Sequence, residues 1–198
     1  MAVDIAQIKR LKDLTGVGLT DAKVALEAAG GDFDKALKEM RAKGLTKAEK
    51  RGERQALAGV IGNYNHDNRI GVIVEVNCET DFVARNEIFV NLVKDIAMHI
   101  AASSPQYVSR DQVPAEAVKT IEDEFKAKAA NEGKPKDMID KIVAGQIDKY
   151  FAERCLLSQP FVKNPDLTVG DFVKEHIARL GENIVVRRFA RLALGEVE

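Results

Sequence analysis

The chain has no tryptophan, only two cysteines, five prolines and three histidines, and aromatic residues make up 6% of its 198 positions. With Cys78 and Cys155 far apart and in no CxxC arrangement, neither a disulfide scaffold nor a thiolate metal site is expected, and a reducing compartment fits best. Thirty basic against 31 acidic side chains leave a formal charge of -1, so no global field draws the chain onto phosphate backbones or anionic lipid. Direct nucleic-acid binding is therefore not expected. No apolar run is long enough to span a bilayer, and MAVDIAQIKRLKDL is interrupted by Asp4 and Asp13 where a signal peptide needs a continuous apolar stretch. A cytoplasmic location without a membrane role is the expectation.

What is present is a 45% hydrophobic, 31% charged composition, typical of a folded globular chain of one or two domains. Residues 1–44 read as three short helices. Asp4 is placed to cap the first, with Ile5, Ile8 and Leu11 on one face, and Thr15-Gly16-Val17-Gly18 ends it. Thr20 is expected to cap the second, stopped by Gly30-Gly31. Asp32 is expected to cap the third, with Phe33, Ala36, Leu37 and Met40 inward, closed by Gly44. So small a bundle suits a docking module. Residues 45–56, LTKAEKRGERQA, lose apolar periodicity and read as a charged linker or short exposed helix.

Residues 57–198 read as an α+β core, an antiparallel sheet packed with helices. Val60 to Tyr64 and Ile70 to Asn77 make a hairpin around Asn65-His66-Asp67-Asn68, and Ile184–Leu194 is the candidate third strand. Asn86 heads the strongest amphipathic helix, with Phe89, Leu92, Val93, Ile96 and Ile100 on its stripe. A helical hairpin spans about 114–153, started at Pro114 and Pro135, with Val118, Ile121, Phe125, Met138, Ile139, Ile142 and Tyr150 inward and a stop near Gly133. Thr168 and Asp171 form a capping pair for a last helix bearing Phe172, Val173, His176 and Ile177.

The usual marks of catalysis are absent. Gly16 and Gly18 begin a glycine pattern that Asp21 breaks, and no phosphate-binding GxxxxGK[ST] occurs. His66, His99 and His176 are isolated and read as turn, helix-face and core residues rather than ligands. Cys78 with His66 is the one thiol–base pair available to an enzyme, and buried structural cysteine is the simpler account. No enzyme activity, metal or cofactor is expected of the chain itself.

The segment Cys78-Glu79-Thr80-Asp81-Phe82-Val83-Ala84-Arg85-Asn86 joins a strand to the cap of the strongest helix. Thr80 as cap, Asp81 at a helix start and Phe82 and Val83 in the core is one account. A rigid turn that presents an aromatic and a carboxylate to a partner is the other, and local pattern does not separate them.

Three segments in order resemble the elongation factor Ts family: LKDLTGVGLTDAKVAL its ubiquitin-associated-like N-terminal module, GVIVEVNCETDFVARN its central signature, and LGENIVVRRFARLALGE its closing strand. The resemblance implies a guanine-nucleotide exchange factor for elongation factor Tu. In the family the signature residues, here Thr80, Asp81, Phe82 and Val83, enter beside the partner's second switch region and dislodge its Mg²⁺; GDP and Mg²⁺ belong to the partner. The family's N-terminal docking positions correspond to Lys12, Leu19 and Thr20, where members commonly carry arginine and methionines. Arg187, Arg188 and Arg191 read as a solvated basic face. The length matches short members, for which the resemblance implies a homodimer. Outside that family, a ubiquitin-binding adaptor and a Cys78–His66 enzyme are the alternatives.

Overall fold

In the computed structural model the described residues are 3–15, 17–40, 51–131 and 135–196. The first helices are α1 (Ile5–Thr15), α2 (Leu19–Ala28) and α3, which occupies 33–40. Asp4 Oδ1 accepts the amide of Ala6 at 3.1 Å and Asp32 Oδ1 that of Lys35 at 3.0 Å, so both expected caps are in place. Thr20 is not a cap: α2 starts at Leu19, two residues before a cap at Thr20 would start it, with Gly18 at its N-cap and no side chain bonded there. Ile8, Leu11, Ala22, Leu26, Ala36 and Met40 form the small core. Ile5, expected inward, is exposed, while Val3 two residues before it packs against the small core in its place. The expected stops at Gly16, Gly44 and Gly133 lie outside the described residues, as do positions 45–50 of the linker. The rest of the linker is tied to the α+β core. Arg51 Nη1 donates to the Ile177 carbonyl at 3.0 Å, and the Arg54 carbonyl accepts Asn183 Nδ2 at 2.7 Å.

β1 (Ala58–His66) and β2 (Ile70–Cys78) form the expected hairpin, paired from Ala58–Cys78 to His66–Ile70. The loop between them is Asp67–Arg69; Asp67 and Asn68 both take positive φ, 49° and 56°, and the Arg69 amide closes the turn on the His66 carbonyl at 2.9 Å. Asn65 Oδ1 secures the loop by accepting the amide of Asn68 at 2.8 Å. On the far side β2 pairs antiparallel with the C-terminal strand, which runs Ile184–Ala193, giving the order β1, β2, C-terminal strand.

Alternation along β2 buries Val72, Val74 and Val76 on one face, and α5 (Glu87–Ser103) lies across them. Asn86 Oδ1 caps α5 by accepting the amide of Ile88 at 2.9 Å. Phe89, Leu92, Val93, Ile96 and Ile100 are essentially water-free. At about 1.5–3 kcal/mol for each fully buried side chain, this stripe contributes roughly 8–15 kcal/mol before the entropy of ordering is set against it. The approach is so close that a Cβ at Gly62 would overlap the Val93 side chain. Among the described residues no helix covers the other face of the sheet: Ile61, Ile73 and Leu192 are 63%, 54% and 74% exposed around the Glu75–Arg188 ion pair.

Preceding α5 is the four-residue helix α4 (Asp81–Ala84). After α5 come α6 (Ala115–Asn131) and α7 (Lys136–Arg154), the expected helical hairpin. It has a minor core of its own around Val113, Phe151 and Cys155. Val118, Ile121 and Phe125 are only half-buried, and Met138, expected inward, is 50% exposed. A two-helix hairpin has no third layer, so an apolar stripe is covered on one flank only; Val143 is the residue of α7 that the packing buries deeply besides Phe151.

A short strand pair not expected from the sequence, β3 (Pro160–Phe161) and β4 (Asn164–Thr168), leads into α8 (Val169–Leu180); the C-terminal strand is then β5. Thr168 Oγ1 accepts the amide of Asp171 at 3.0 Å and donates to Asp171 Oδ2 at 2.8 Å, the expected reciprocal cap. Phe172 stacks on Phe161 at 4.2 Å between centroids. His99, expected on a helix face, is fully buried, and His176 is the half-buried one. Among the described residues no helix is long and apolar enough to cross a membrane.

Candidate functional site

At the end of β2 furthest from the hairpin loop, the chain leaves the sheet at Cys78 and turns into α4. Thr80 is the N-cap, its Oγ1 accepting the amide of Val83 at 3.4 Å. Asp81 stands in the first turn, where a carboxylate faces the positive end of the helix. Side chains one position apart on a helix point about 100° away from each other, so with Val83 and Ala84 together facing the core, Phe82 is turned about 200° from Ala84, to the outer side. Val83 and Ala84 are 6% and 5% exposed and belong to the main core, while Phe82 is 83% exposed. Asp81 is exposed beside it. With Arg85 and Asn86, these two residues rim a shallow surface concavity.

The first account thus holds for Thr80 and Val83 but not for Phe82, which it placed in the core. Thr80 and Val83 cap and anchor; Asp81 and Phe82 face solvent. An exposed phenylalanine on a floppy loop would mean little. Here the backbone on both sides is fixed: the turn sits between the central strand and the cap of α5, and its amides are bonded to side chains from the other end of the chain. Glu182 Oε2 accepts Glu79 N at 3.1 Å and Thr80 N at 3.0 Å, and Glu182 Oε1 accepts the Thr80 hydroxyl at 2.6 Å. Glu79 Oε1 in turn accepts Asn183 N at 2.6 Å and lies 3.6 Å from Arg54 Nη1. Nothing in the sequence pattern marks Glu182, because its contacts span about a hundred positions.

The thiol–base pair is not built. Cys78 pairs with Ala58 at one end of the hairpin, while His66 pairs with Ile70 at the other, eight strand residues and roughly 27 Å away at about 3.4 Å per residue. Cys78 is buried, its Sγ donates to the Thr80 carbonyl at 3.2 Å, and burial with the nearby Glu182 charge pushes its pKa up to about 11. A thiol so protonated is a poor nucleophile at neutral pH. Burial likewise raises the Cys155 thiol. Among the described residues, no group of three or more histidines, cysteines or carboxylates is arranged to hold a metal ion.

Lys12, Leu19 and Thr20 are all exposed, at the end of α1 and the start of α2. Leu14 and Leu19 are 48% and 51% exposed, giving that corner two uncovered aliphatic side chains. They sit on helices α1 and α2, which pack around the small three-helix core, whereas the Thr80–Val83 turn is anchored in the α+β core through Val83. Of the three C-terminal arginines, Arg188 pairs with Glu75 at 2.7 Å and Arg191 with Glu196 at 2.6 Å.

Comparison with known proteins bears on this turn and the sheet that carries it. The family model described as elongation factor TS matches residues 22–196. Elongation factor Ts of Geobacter sulfurreducens is 53% identical over 197 residues, covering 99% of this chain and 91% of that protein. That of Alkaliphilus metalliredigens is 48% identical over 196 residues, covering 99% and 91%. That of Thermodesulfovibrio yellowstonii is 47% identical over 198 residues, covering 100% of this chain and 99% of that protein. With a family match across most of its length and relatives at about half identity over nearly all of it, this chain belongs to the elongation factor Ts family.

Proposed function

We propose that this chain is a guanine-nucleotide exchange factor that accelerates GDP release from elongation factor Tu, with Asp81 and Phe82 as the residues that enter the partner. Membership of the family carries the role in translation elongation; the exchange step and its residues are the proposal. One observation supports it above the others: Phe82 is 83% exposed on a turn whose own residues are fastened to two strands and a helix. A large aromatic in water on a backbone already fixed suits a binding hot spot, since little backbone freedom remains to be lost on docking.

The mechanism follows from differential binding. A GTPase holds GDP partly through Mg²⁺ and ordered switch loops. A phenyl ring wedged beside the second switch region, with a carboxylate next to it, favours the arrangement in which those elements are displaced and Mg²⁺ is lost. By linkage, GDP weakens the factor's binding by the same ratio that the factor weakens GDP. Thr80 and Val83 act from behind, as cap and anchor. Lys12, Leu19 and Thr20 dock the three-helix module on the partner's nucleotide-binding domain. The chain brings no nucleotide, metal or cofactor and no nucleic-acid contact, and it works in the cytoplasm where translation proceeds. A second copy covers the outer sheet face around Ile61, Ile73 and Leu192, making a homodimer.

The test is the release rate of fluorescent GDP from elongation factor Tu over a range of Mg²⁺, with wild type, Asp81→Ala and Phe82→Ala. Acceleration by wild type that both substitutions largely abolish, with thermal unfolding unchanged, supports the proposal. A wild-type chain that leaves GDP release unchanged ends it.

A further inference from the structure

The hydrogen bonds around the turn converge on Glu182. It follows Gly181, whose left-handed backbone (φ 81°) ends α8, and it precedes β5. Its carboxylate is turned wholly toward the signature: Oε2 takes the two successive amides of Glu79 and Thr80, and Oε1 takes the Thr80 hydroxyl proton at 2.6 Å. With that proton committed, the Thr80 oxygen presents its lone pairs to the Val83 amide. A free hydroxyl rotates, whereas one bonded to a carboxylate is a cap of fixed direction. The return bond from Asn183 N to Glu79 Oε1, with Asn183 Nδ2 on the Arg54 carbonyl, fastens the segment that carries Glu182.

We propose that Glu182 is a positioning residue for nucleotide exchange, acting through Phe82; this rests on the function proposed above. A four-residue helix does not hold itself together, because nucleation costs more than so few bonds return. Phe82, being 83% exposed, gains little direction from its own contacts. Its ring points where the α4 backbone sends it, and that backbone is fixed below by Val83 and Ala84 and at its N-terminus by the Glu182 carboxylate. Without the carboxylate, Phe82 is chemically unchanged but must be ordered as it docks, which weakens productive encounter.

The experiment measures GDP release from elongation factor Tu against factor concentration for wild type, Glu182→Ala, Glu182→Gln, Phe82→Ala and the Glu182→Ala/Phe82→Ala double variant, with thermal unfolding and amide exchange at Glu79, Thr80 and Val83. Glu182→Ala is expected to lower kcat/KM about tenfold, equivalent to about 1.4 kcal/mol, with faster amide exchange confined to those three positions. Glu182→Gln, which keeps one acceptor for the two amides, falls between alanine and wild type. Adding Glu182→Ala to Phe82→Ala costs less than about threefold more, since residues acting as one unit are not additive. A folded Glu182→Ala that exchanges at the wild-type rate, or a full tenfold loss persisting on the Phe82→Ala background, overturns the positioning role. Should Glu182→Ala lose cooperative unfolding, Glu182→Gln, alone and on the Phe82→Ala background, is judged by the same two criteria. A wild-type chain without effect, or Phe82→Ala equal to wild type, removes the proposed function first, and this role with it.

Discussion

Replacing His99 by phenylalanine tests whether the buried polar pin of the core is understood. His99 is fully buried on α5, and its two nitrogens face different partners. Nε2 lies 3.0 Å from Gln159 Oε1, and Nδ1 accepts the amide of Val162 at 3.2 Å, so the neutral ring carries its proton on Nε2. The Gln159 amide cannot turn away, because Nε2 donates to the Glu153 carbonyl at 2.8 Å and the Ser103 carbonyl at 3.4 Å. His99→Phe preserves the ring and its 5.9 Å contact with Phe161. It leaves one buried acceptor, Gln159 Oε1, and one part-buried donor, the Val162 amide, unpaired. An orphaned buried group costs about 1–3 kcal/mol and the part-buried amide adds at most as much again, so the loss should be roughly 1–6 kcal/mol. Urea denaturation followed by circular dichroism at pH 7.5 reads it as a lower midpoint at constant slope. A loss under about 1 kcal/mol would refute the pin. The pH dependence gives an independent check. Burial, the largest influence, lowers the His99 pKa from its ordinary 6.5, against the opposing Gln159 bond. Between the folded value and 6.5 the unfolded chain binds more protons, so stability rises with pH there. It is fully present above 6.5 and is lost as pH falls through the folded value, when a proton on Nδ1 would confront the Val162 N–H. His176, also lowered chiefly by burial, acts with the same sign. His99→Phe should therefore flatten the wild-type decline below pH 6.5 without abolishing it, and an unaltered decline would count equally against the argument.

Cys78 and Cys155 should resist a thiol reagent at pH 8 in the folded protein and react on unfolding; rapid labelling of Cys78 in the native state would contradict its burial and raised pKa. Thr168→Ala removes the cap of α8 and should cost about 1 kcal/mol in urea, with Thr168→Ser recovering most of it. Ile73→Lys places a charge in the middle of the uncovered sheet face, 54% exposed in the single chain. It should convert the proposed homodimer to monomer in sedimentation, at unchanged thermal stability when measured dilute. A wild-type chain already monomeric at tens of micromolar removes that proposal.

The elements legible in the sequence are those whose signals are local. Period-two alternation marked β2, the Asn65–Asn68 loop marked its hairpin, and Asn86 and Thr168 marked helices that begin where their caps stand. Apolar stripes were less reliable where the covering layer is thin, as at Ile5 and Met138, because periodicity tells which face is apolar but not whether anything lies against it. Gly18 stands in place of Thr20 as the N-cap of α2, two residues earlier. The β3–β4 pair escaped notice because Pro160–Phe161 is two residues long and Asn164-Pro165-Asp166 reads as turn chemistry. At the candidate site the sequence supplied the segment but not the division of labour. Phe82 and Val83 are adjacent and both apolar, and only the direction of entry into α4 decides which is buried. Glu182 and His99 take their importance from partners 102 and 60 positions away, a distance across which composition and period carry no information.

The central place of β2 also sets a timetable for synthesis. Its first neighbour, β1, lies across a three-residue loop, and β-hairpins close in about 1–10 μs. Its second neighbour belongs to the far segment: Glu79, beside the end of β2, meets Asn183 104 positions later. At about 5–20 residues per second, a ribosome needs roughly 5–20 s to make that interval. Throughout it β2 presents an open edge rich in valine, the kind of edge that recruits stray strands. Each nascent copy passes through that interval with its hairpin formed and its sheet unfinished.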